Sequence, residues 1–442
     1  MEPLHIGLLM FAAMLVLMAL RTPIAAAMFI PGALGYLAMS NGNALLSVLK
    51  GSSVARLTIY DLSVIPLFLL MGQFATQGGL SKALFQAAAA FVGHIRGGLA
   101  MAALIAAGAF GAVCGSSVAT AATITQVGYD EMRRQGYSGR LSTATLATGG
   151  TLGILIPPSV PLVVYALLTE QSIGKLFAAA MIPGVLAMLG YIAVVAIMCR
   201  WKPELAPASR KTDWPQRLQA LIKVWPIATI FVVVFGGIYG GLFSPTEGAA
   251  IGAVFTFAAG LINRELNSES IKQCFLSTAE TSAMIFMIFL GADMMNAALA
   301  ITQMPALVAA WVTTLPVSPL VVVGSILLIY VILGCVMDEL SMLLLTIPVI
   351  YPALLGLDCW GLSKEMKSIW FGILVLMTVG VGMLAPPVGL NVYVVNGLAK
   401  DVSMNETYKG VLPFLIWDAI RIVLLLMFPM ISLWLVQLFF AK

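Results

Sequence analysis

The chain has 442 residues, of which 61% are hydrophobic and 10% charged, and its mean hydropathy is +1.02. A water-soluble domain carries about a quarter charged residues, so this composition belongs to a polytopic membrane protein. The net charge of +4 gives no reason to invoke nucleic acid, and the absence of a GxxxxGK[ST] pattern argues against ATP hydrolysis by this chain.

The N-terminal stretch "MEPLHIGLLMFAAMLVLMALR" has no basic n-region and no small-residue cleavage site, so it reads as a retained first span. Further uncharged or nearly uncharged runs lie at 22–49, 62–81, 97–129, 141–169, 176–199, 224–246, 248–263, 294–337, 340–357, 368–399 and 422–441. A membrane helix needs about 20 residues, so several runs exceed one straight crossing. As a helix, 97–129 would reach about 50 Å at 1.5 Å per residue, against about 30 Å of hydrocarbon. It is expected to break at "GSSVAT" (115–120). The run 141–169 is uncharged yet holds Pro157, Pro158 and Pro161, each without the N–H a helix interior uses. Residues 43–57, with Lys50 and Arg56, suit an interfacial arm.

The segment Cys199 to Trp225 concentrates Arg200, Lys202, Arg210, Lys211, Arg217 and Lys223. The positive-inside rule places it in the cytoplasm. The loop with Arg133, Arg134 and Arg140 lies two crossings earlier and falls on the same side.

This linker divides a repeat. "RTPIAAA" (21–27) echoes "SPTEGAA" (244–250), and "LMGQFA" (70–75) echoes "FLGADM" (289–294). "TLGILIPPSVPLVVY" (151–165) echoes "GVGMLAPPVGLNVYV" (380–394), with Pro157-Pro158 over Pro386-Pro387, and Pro183 falls over Pro413. The offset runs from 219 (Gly72 to Gly291) to 230 (Pro183 to Pro413), so one alignment with short gaps holds all of them. Five crossings plus a re-entrant hairpin in each half would invert the second half, the plan of secondary transporters. The first repeat is then 1–200, with scaffold and arm helices over 1–57, a hairpin at 58–92 and transport helices over 97–200. The linker is 201–223. The second repeat is 224–442, with scaffold and arm helices over 224–265, a hairpin at 273–310 and transport helices over 318–442. Hairpin interruptions are expected at "TQGGLS" (76–81) and "GADMMNA" (291–297). Both termini would lie opposite the linker.

Broken helices are tolerated at membrane depth where they line a polar cavity. Freed carbonyls suit a hard cation such as Na⁺, and freed N–H groups suit a carboxylate. Ser116, Ser117, Gly150, Gly153 and Pro157 form one candidate Na⁺ cage; Asp338, Glu339, Val379, Gly382 and Pro386 form its counterpart. Intramembrane acids are costly and therefore informative. With Cys114 set over Cys335, Asp338 falls over Ser117, which favours a site role for Asp338-Glu339. Asp293, near an expected hairpin tip, is a further candidate. Glu247 follows a proline at a helix start and reads as a cap, while Glu170 borders water.

The five cysteines are scattered and read as small apolar fillers. The 25 methionines read as flexible packing. Trp201, Trp225, Trp360, Trp370 and Trp417 lie near segment ends, as an aromatic belt requires. His5 and His94 make no relay or metal site, and no nucleophile–base constellation or HExxH is present, so an intramembrane enzyme is not expected. A purely structural scaffold would leave two matched sets of helix breaks unexplained.

"GSSVATAATI" (115–124), "ATGGTLGILIPPSVPLVVYALLTEQSIGKLF" (147–177), "PTEGAA" (245–250) and "GMLAPPVGLNVYV" (382–394) resemble the large membrane subunit of tripartite ATP-independent periplasmic (TRAP) transporters, the DctM-like family. The resemblance implies an all-α, multi-pass protein of the bacterial inner membrane. It implies an elevator transporter with inverted repeats, two re-entrant hairpins and discontinuous helices. It also implies Na⁺ as coupling ion, a periplasmic (DctP-like) substrate-binding protein, and a small four-helix (DctQ-like) membrane subunit, here expected as a separate chain. Family Na⁺ sites fall on Ser116, Ser117, Gly150, Gly153, Pro157, Gly382 and Pro386. The implied substrate is a small carboxylate. No arginine lies within the membrane between the breaks, so hydroxyls, amides and helix N-termini at Ser116, Thr120, Thr151, Asn391 and Asn396 are expected to bind it, with Asp293. The alternative is a stand-alone Na⁺-coupled organic-anion carrier that needs no binding protein.

Overall fold

Every regular element of the computed structural model is a helix; the structure describes residues 3–208, 211–314 and 316–440, so Arg210 of the linker lies outside the described residues. Hydrocarbon explains this uniformity, because a backbone beyond the reach of water must satisfy its hydrogen bonds within its own segment. Among the described residues, seven helices are long and apolar enough to cross a bilayer, or nine if each of two bent pairs counts as one span.

The helices form two sets in the same order. Pro3–Ala19 and Ile24–Met39 correspond to Trp225–Tyr239 and Pro245–Ile262. The arm Gly42–Leu57 and the helix Val64–Gln77 correspond to one long helix, Ser268–Thr302; Leu80–Val92 corresponds to Met304–Thr314. Gly98–Cys114 then pairs with Pro319–Gly334, Ser117–Arg134 with Glu339–Gly356, and Gly139–Leu155 with Lys364–Gly382. Last come Val160–Thr169 with Leu390–Leu398, and Ile173–Trp201 with Met404–Met427 and Met430–Phe440.

Sequence marks most starts. Ser138, Ser159, Ser172, Ser363 and Ser403 each accept an N–H from three residues on. Ser244 and Glu247 close a capping box, the structural role read for Glu247.

Two segments run into the fold and return. Gly98–Cys114 and Ser117–Arg134 both pack on Gly139–Leu155. Their far ends meet where the Tyr137 hydroxyl accepts the Leu99 N–H at 3.0 Å, and their tip is Gly115–Ser116. In the counterpart, Pro319–Gly334 with Glu339–Gly356, Thr346 donates to the Tyr330 hydroxyl across the hairpin at 2.6 Å. These hairpins replace the ones expected at 58–92 and 273–310. The first of those does turn at Gly78–Gly79, with Gly79 at φ +70°, but its tip lies beside Trp225 and Glu265 at the linker face. The second lacks its expected interruption: Ser268–Thr302 runs unbroken through "GADMMNA", and the chain turns only at Gln303, φ +54°, before Met304–Thr314. Gly291 serves close approach there rather than a turn, since a Cβ would stand 2.5 Å from the Ala25 carbonyl oxygen.

The halves interlock. The Tyr165 hydroxyl donates to the Ser368 carbonyl at 2.6 Å, and Thr407 donates to Thr143 at 2.9 Å. All five cysteines are buried and free, as apolar fillers would be. Trp201, Trp225 and Trp360 are exposed, but Trp370 is a correction to the belt: it is fully buried and donates its Nε1–H to the Leu425 carbonyl at 2.8 Å.

Candidate functional site

The first break forms because Pro157 and Pro158 cannot donate to the carbonyls of Gly153 and Ile154. The Pro157–Pro158 peptide is cis, and residues 151–160 are all buried. The hairpin tip is tied to this break: Gly115, at φ +68°, accepts the Val160 N–H through its carbonyl at 3.3 Å. Packing allows no side chain at the glycines beside it. A Cβ on Gly153 would lie 2.4 Å from Thr120 Oγ1 and 2.6 Å from the Ser116 carbonyl oxygen. One on Gly150 would lie 2.9 Å from Asn391 Nδ2 and 3.0 Å from the Ser117 carbonyl oxygen.

The second break repeats the device. The Cys335 carbonyl accepts the Gly389 N–H at 3.3 Å, Gly382 rests on the backbone of Gly334, and the Pro386–Pro387 peptide is cis. Its carbonyls are occupied, however: Ala385 N–H bonds Gly382 at 3.2 Å, and Asn391 N–H bonds Met383 at 3.1 Å. Pro386 and Pro387 are exposed, and Val379 is buried in the helix before them. Asp338 is the N-cap of Glu339–Gly356, accepting the N–H of Ser341 at 3.2 Å and also its hydroxyl. Its carboxylate is thereby committed to the fold.

The two halves meet at Ser117. Asn391 donates through Nδ2 to Ser117 Oγ at 2.8 Å and to the Ala147 carbonyl at 3.3 Å. The Glu339 carboxyl, 6% exposed, faces the Ser117 backbone and Asp338. Three buried oxygens around this turn have no hydrogen-bond partner: Thr120 Oγ1, Asn391 Oδ1 and Glu339 Oε2. An unsatisfied buried polar atom costs about 1–3 kcal/mol, so the cluster is suited to a polar occupant. Oxygens of hydroxyl, amide, carboxylate and backbone are donors for a hard cation. No group of three His, Cys, Asp or Glu residues among the described ones could hold a metal. The starts of Ser117–Arg134 and Glu339–Gly356 direct partial positive charge toward the same place, where a carboxylate would be favoured.

Ser116, Ser117, Thr120, Gly150, Gly153, Glu339 and Asn391 are thus brought together, with Pro157 and Pro386 at the two breaks. Three expected site residues are committed elsewhere. Asp293 pairs with Arg56 of the arm at 2.8 and 2.5 Å, in a cleft lined by Asp61, Glu170 and Asn296. Thr151 sits on the broken helix, but its hydroxyl donates to Thr148 and meets the Tyr191 hydroxyl at 3.2 Å. Asn396 donates to the Val402 carbonyl at 2.8 Å, closing the loop after the second break.

Sequence reasoning passed over a buried ion pair. Asp418 and Arg421 are 0% and 1% exposed and 2.6 Å apart, and Tyr191 donates to Asp418 at 2.8 Å. The signal was present: "WDAIR" puts opposite charges three residues apart in a stretch, 410–427, that is otherwise free of charge, an expensive placement that marks a partnered role.

The family model described as "Tripartite ATP-independent periplasmic transporter, DctM component" matches residues 11–431. The chain belongs to this family. It is therefore the large permease of a transporter whose other components are a small membrane subunit and a periplasmic binding protein; it is an inner-membrane protein and not an enzyme. It is 34% identical over 375 residues to the C4-dicarboxylate TRAP transporter large permease protein DctM of Pseudomonas aeruginosa, covering 85% of this chain and 86% of that one. The sialic acid TRAP transporter large permease protein SiaM of Vibrio cholerae is 28% identical, with 86% and 87% covered. The ectoine TRAP transporter large permease protein TeaC of Halomonas elongata is 28% identical, with 98% and 99% covered. In fold, the permease is similar to the Alcanivorax borkumensis YdaH transporter, with a TM-score of 0.61 at 16% identity over 88% of each chain.

Proposed function

We propose that this TRAP permease imports a small carboxylate in symport with Na⁺, and that both bind where the hairpin tips meet the broken helices. The observation that carries this reading is the cluster of uncommitted buried oxygens at Thr120, Asn391 and Glu339, with Thr120 packed against Gly153, whose carbonyl, like that of Ile154, loses its helical donor to a proline. Ser116, Ser117, Gly150 and Gly153 bring backbone and hydroxyl oxygens to the same turn; Na⁺ there would order the hairpin tip against the break. The carboxylate would then meet the helix starts at Ser117 and Glu339, and the cation and anion would cross together with their charges paired.

The relatives named for C4-dicarboxylates, sialic acid and ectoine all handle carboxylate-bearing compounds, which supports that substrate class. The two hairpins with their broken helices form the unit that would move, elevator-fashion, against the frame built by Pro3–Met39 and Trp225–Ile262. The basic linker faces the cytoplasm. A separately encoded small subunit and a binding protein would complete the complex, although one relative, an isethionate permease protein, is named DctMQ.

Reconstitution into proteoliposomes with an imposed Na⁺ gradient, tested on a panel of organic acids with and without the binding protein, decides the reading. Uptake is expected only with Na⁺ outside and the binding protein present. Uptake by this chain alone, indifferent to any soluble protein, would favour the stand-alone carrier. Ser117→Leu should abolish Na⁺ activation in a protein that still folds; unchanged activation would remove Ser117 from the site.

A further inference from the structure

The linker helix Trp214–Lys223 is the one described α-helix without a counterpart in the other half, and its three sides differ. Inward, Arg217 is 7% exposed, with its guanidinium 5.5 Å from the Trp214 ring and 5.7 Å from Phe91. This fastens the linker helix to Leu80–Val92, which in turn packs on the first hairpin. On a second side, Trp214, Leu218, Leu221 and Ile222 follow the i, i+4, i+7, i+8 spacing of one continuous stripe. They are 73, 59, 53 and 60% exposed, and Trp225 extends the stripe. The third side presents Gln216, Gln219 and Lys223 to solvent. The helix then bends by 47° into the span Trp225–Tyr239.

We propose that this helix is a peripheral anchor that lies in the headgroup layer of the cytoplasmic leaflet and prefers anionic lipid; the side of the membrane rests on the orientation given above. An exposed apolar stripe beside a polar face, entering a span at an angle and bracketed by exposed tryptophans, is the form of an interfacial helix. Charge selects the occupant. Exposed Arg200, Lys202, Lys211 and Lys223 lie along the linker with Glu204 and Asp213, and Lys82 and Glu265 line the cleft beside Ile222 and Lys223, so cations outnumber acids among the described residues there; anionic headgroups on the cytoplasmic leaflet attract such a cluster. A protein partner would cover the stripe and leave those cations without a role; a lipid surface serves both. Through Arg217 the anchor fixes the depth of Leu80–Val92, the helix that packs on the first hairpin.

The test uses the full chain in nanodiscs of phosphatidylcholine, with or without phosphatidylglycerol, carrying a nitroxide at Leu218→Cys or Gln219→Cys. Ile222→Cys repeats the measurement should the first variant fail to fold. The label at 218 should collide several-fold more with oxygen than with a water-soluble nickel chelate, and the label at 219 should show the reverse. Anionic lipid should deepen the 218 label, and Lys211→Gln with Lys223→Gln should remove that deepening. The proposal is overturned if both labels stay in water, if depth ignores lipid charge, or if 218 is shielded from both reagents only when the small membrane subunit is added.

Discussion

The two helix breaks share a backbone plan and differ in chemistry. In the first half the prolines are buried, the carbonyls of Gly153 and Ile154 lack the helical donors that prolines at 157 and 158 cannot supply, and the facing hairpin brings Ser116, Ser117 and Thr120. In the second half the prolines are exposed, the equivalent carbonyls are bonded to Ala385 and Asn391, and the hairpin brings Asp338 and Glu339. A dry, hydroxyl-rich break can exchange a cation's hydration shell for oxygens already in position. The second break offers no such oxygens: Asp338 caps its helix, and Glu339 is buried against Ser117 of the first hairpin. The two halves thus repeat the backbone device, while the chemistry around it differs.

A second asymmetry gives the largest expected effect. The chain from Arg421 through Asp418 and Tyr191 reaches Thr151 on the first broken helix. Removing one member of a buried ion pair leaves the other charge uncompensated, at about 3–5 kcal/mol. Asp418→Ala should therefore lower the unfolding temperature sharply in detergent, while Tyr191→Phe, which keeps the ring packed against Phe414, should cost far less and disturb Na⁺ activation more than folding. Equal melting of Asp418→Ala and the parent would show that the pair does not support the first half.

That network also shows where sequence reading stops. The two Pro-Pro breaks, the split at Gly115–Ser116 and the repeat were legible because proline and glycine act through the backbone, whatever surrounds them. The hairpins were not. At Gly78–Gly79 and Gly291 the same residue type answers to different demands, a left-handed turn in one case and contact with Ala25 in the other, and only the neighbouring helix decides. Ser117 and Gly150 were read as parts of one cage and Asn391 as a substrate ligand, but the meeting of Asn391 with Ser117 depends on a contact across 274 positions. Asp293 was a candidate for its place near an expected hairpin tip and Thr151 as a hydroxyl beside the break; sequence did not reveal that their partners are Arg56 and Tyr191.

The next effect separates the breaks directly. Adding a methyl at a closed contact typically costs about 1–3 kcal/mol. Gly153→Ala and Gly382→Ala should both pay it, since each Cβ would meet backbone at 2.6 Å, whereas Gly397→Ala, with nothing within 4 Å, should be neutral. Only Gly153→Ala should raise the Na⁺ concentration for half-maximal uptake, because only the first break leaves its carbonyls free. Equal shifts in both variants would make the breaks equivalent ion sites.

Ser117→Ala is smaller. It removes the acceptor of the 2.8 Å bond from Asn391 and leaves the bond to Ala147, a loss of about 0.5–1.5 kcal/mol. Expected results are a modest drop in melting temperature and weaker Na⁺ activation at unchanged maximal rate in saturating Na⁺. A lower maximal rate with unaltered Na⁺ dependence would assign Ser117 to the moving parts instead.

The smallest effect tests how the halves are clamped away from the bilayer. Asp401, in the loop after the second broken helix, accepts the Tyr129 hydroxyl, and Arg133 donates to it at 3.1 Å; both partners sit on the first hairpin. The Tyr129 hydrogen bond, aided by Arg133, holds the Asp401 carboxyl below its ordinary value of 3.8. A depressed carboxylate contributes stability above its unfolded value and loses it as pH falls through the lower folded one. With half of the side chain in water, that contribution is under about 1 kcal/mol. Asp401→Asn should thus melt slightly below the parent at neutral pH, and the two curves should converge as pH drops below 3.8. A gap that persists unchanged into acid would mean that the amide disturbs the loop by its shape, and that the ionic clamp between hairpin and loop contributes nothing.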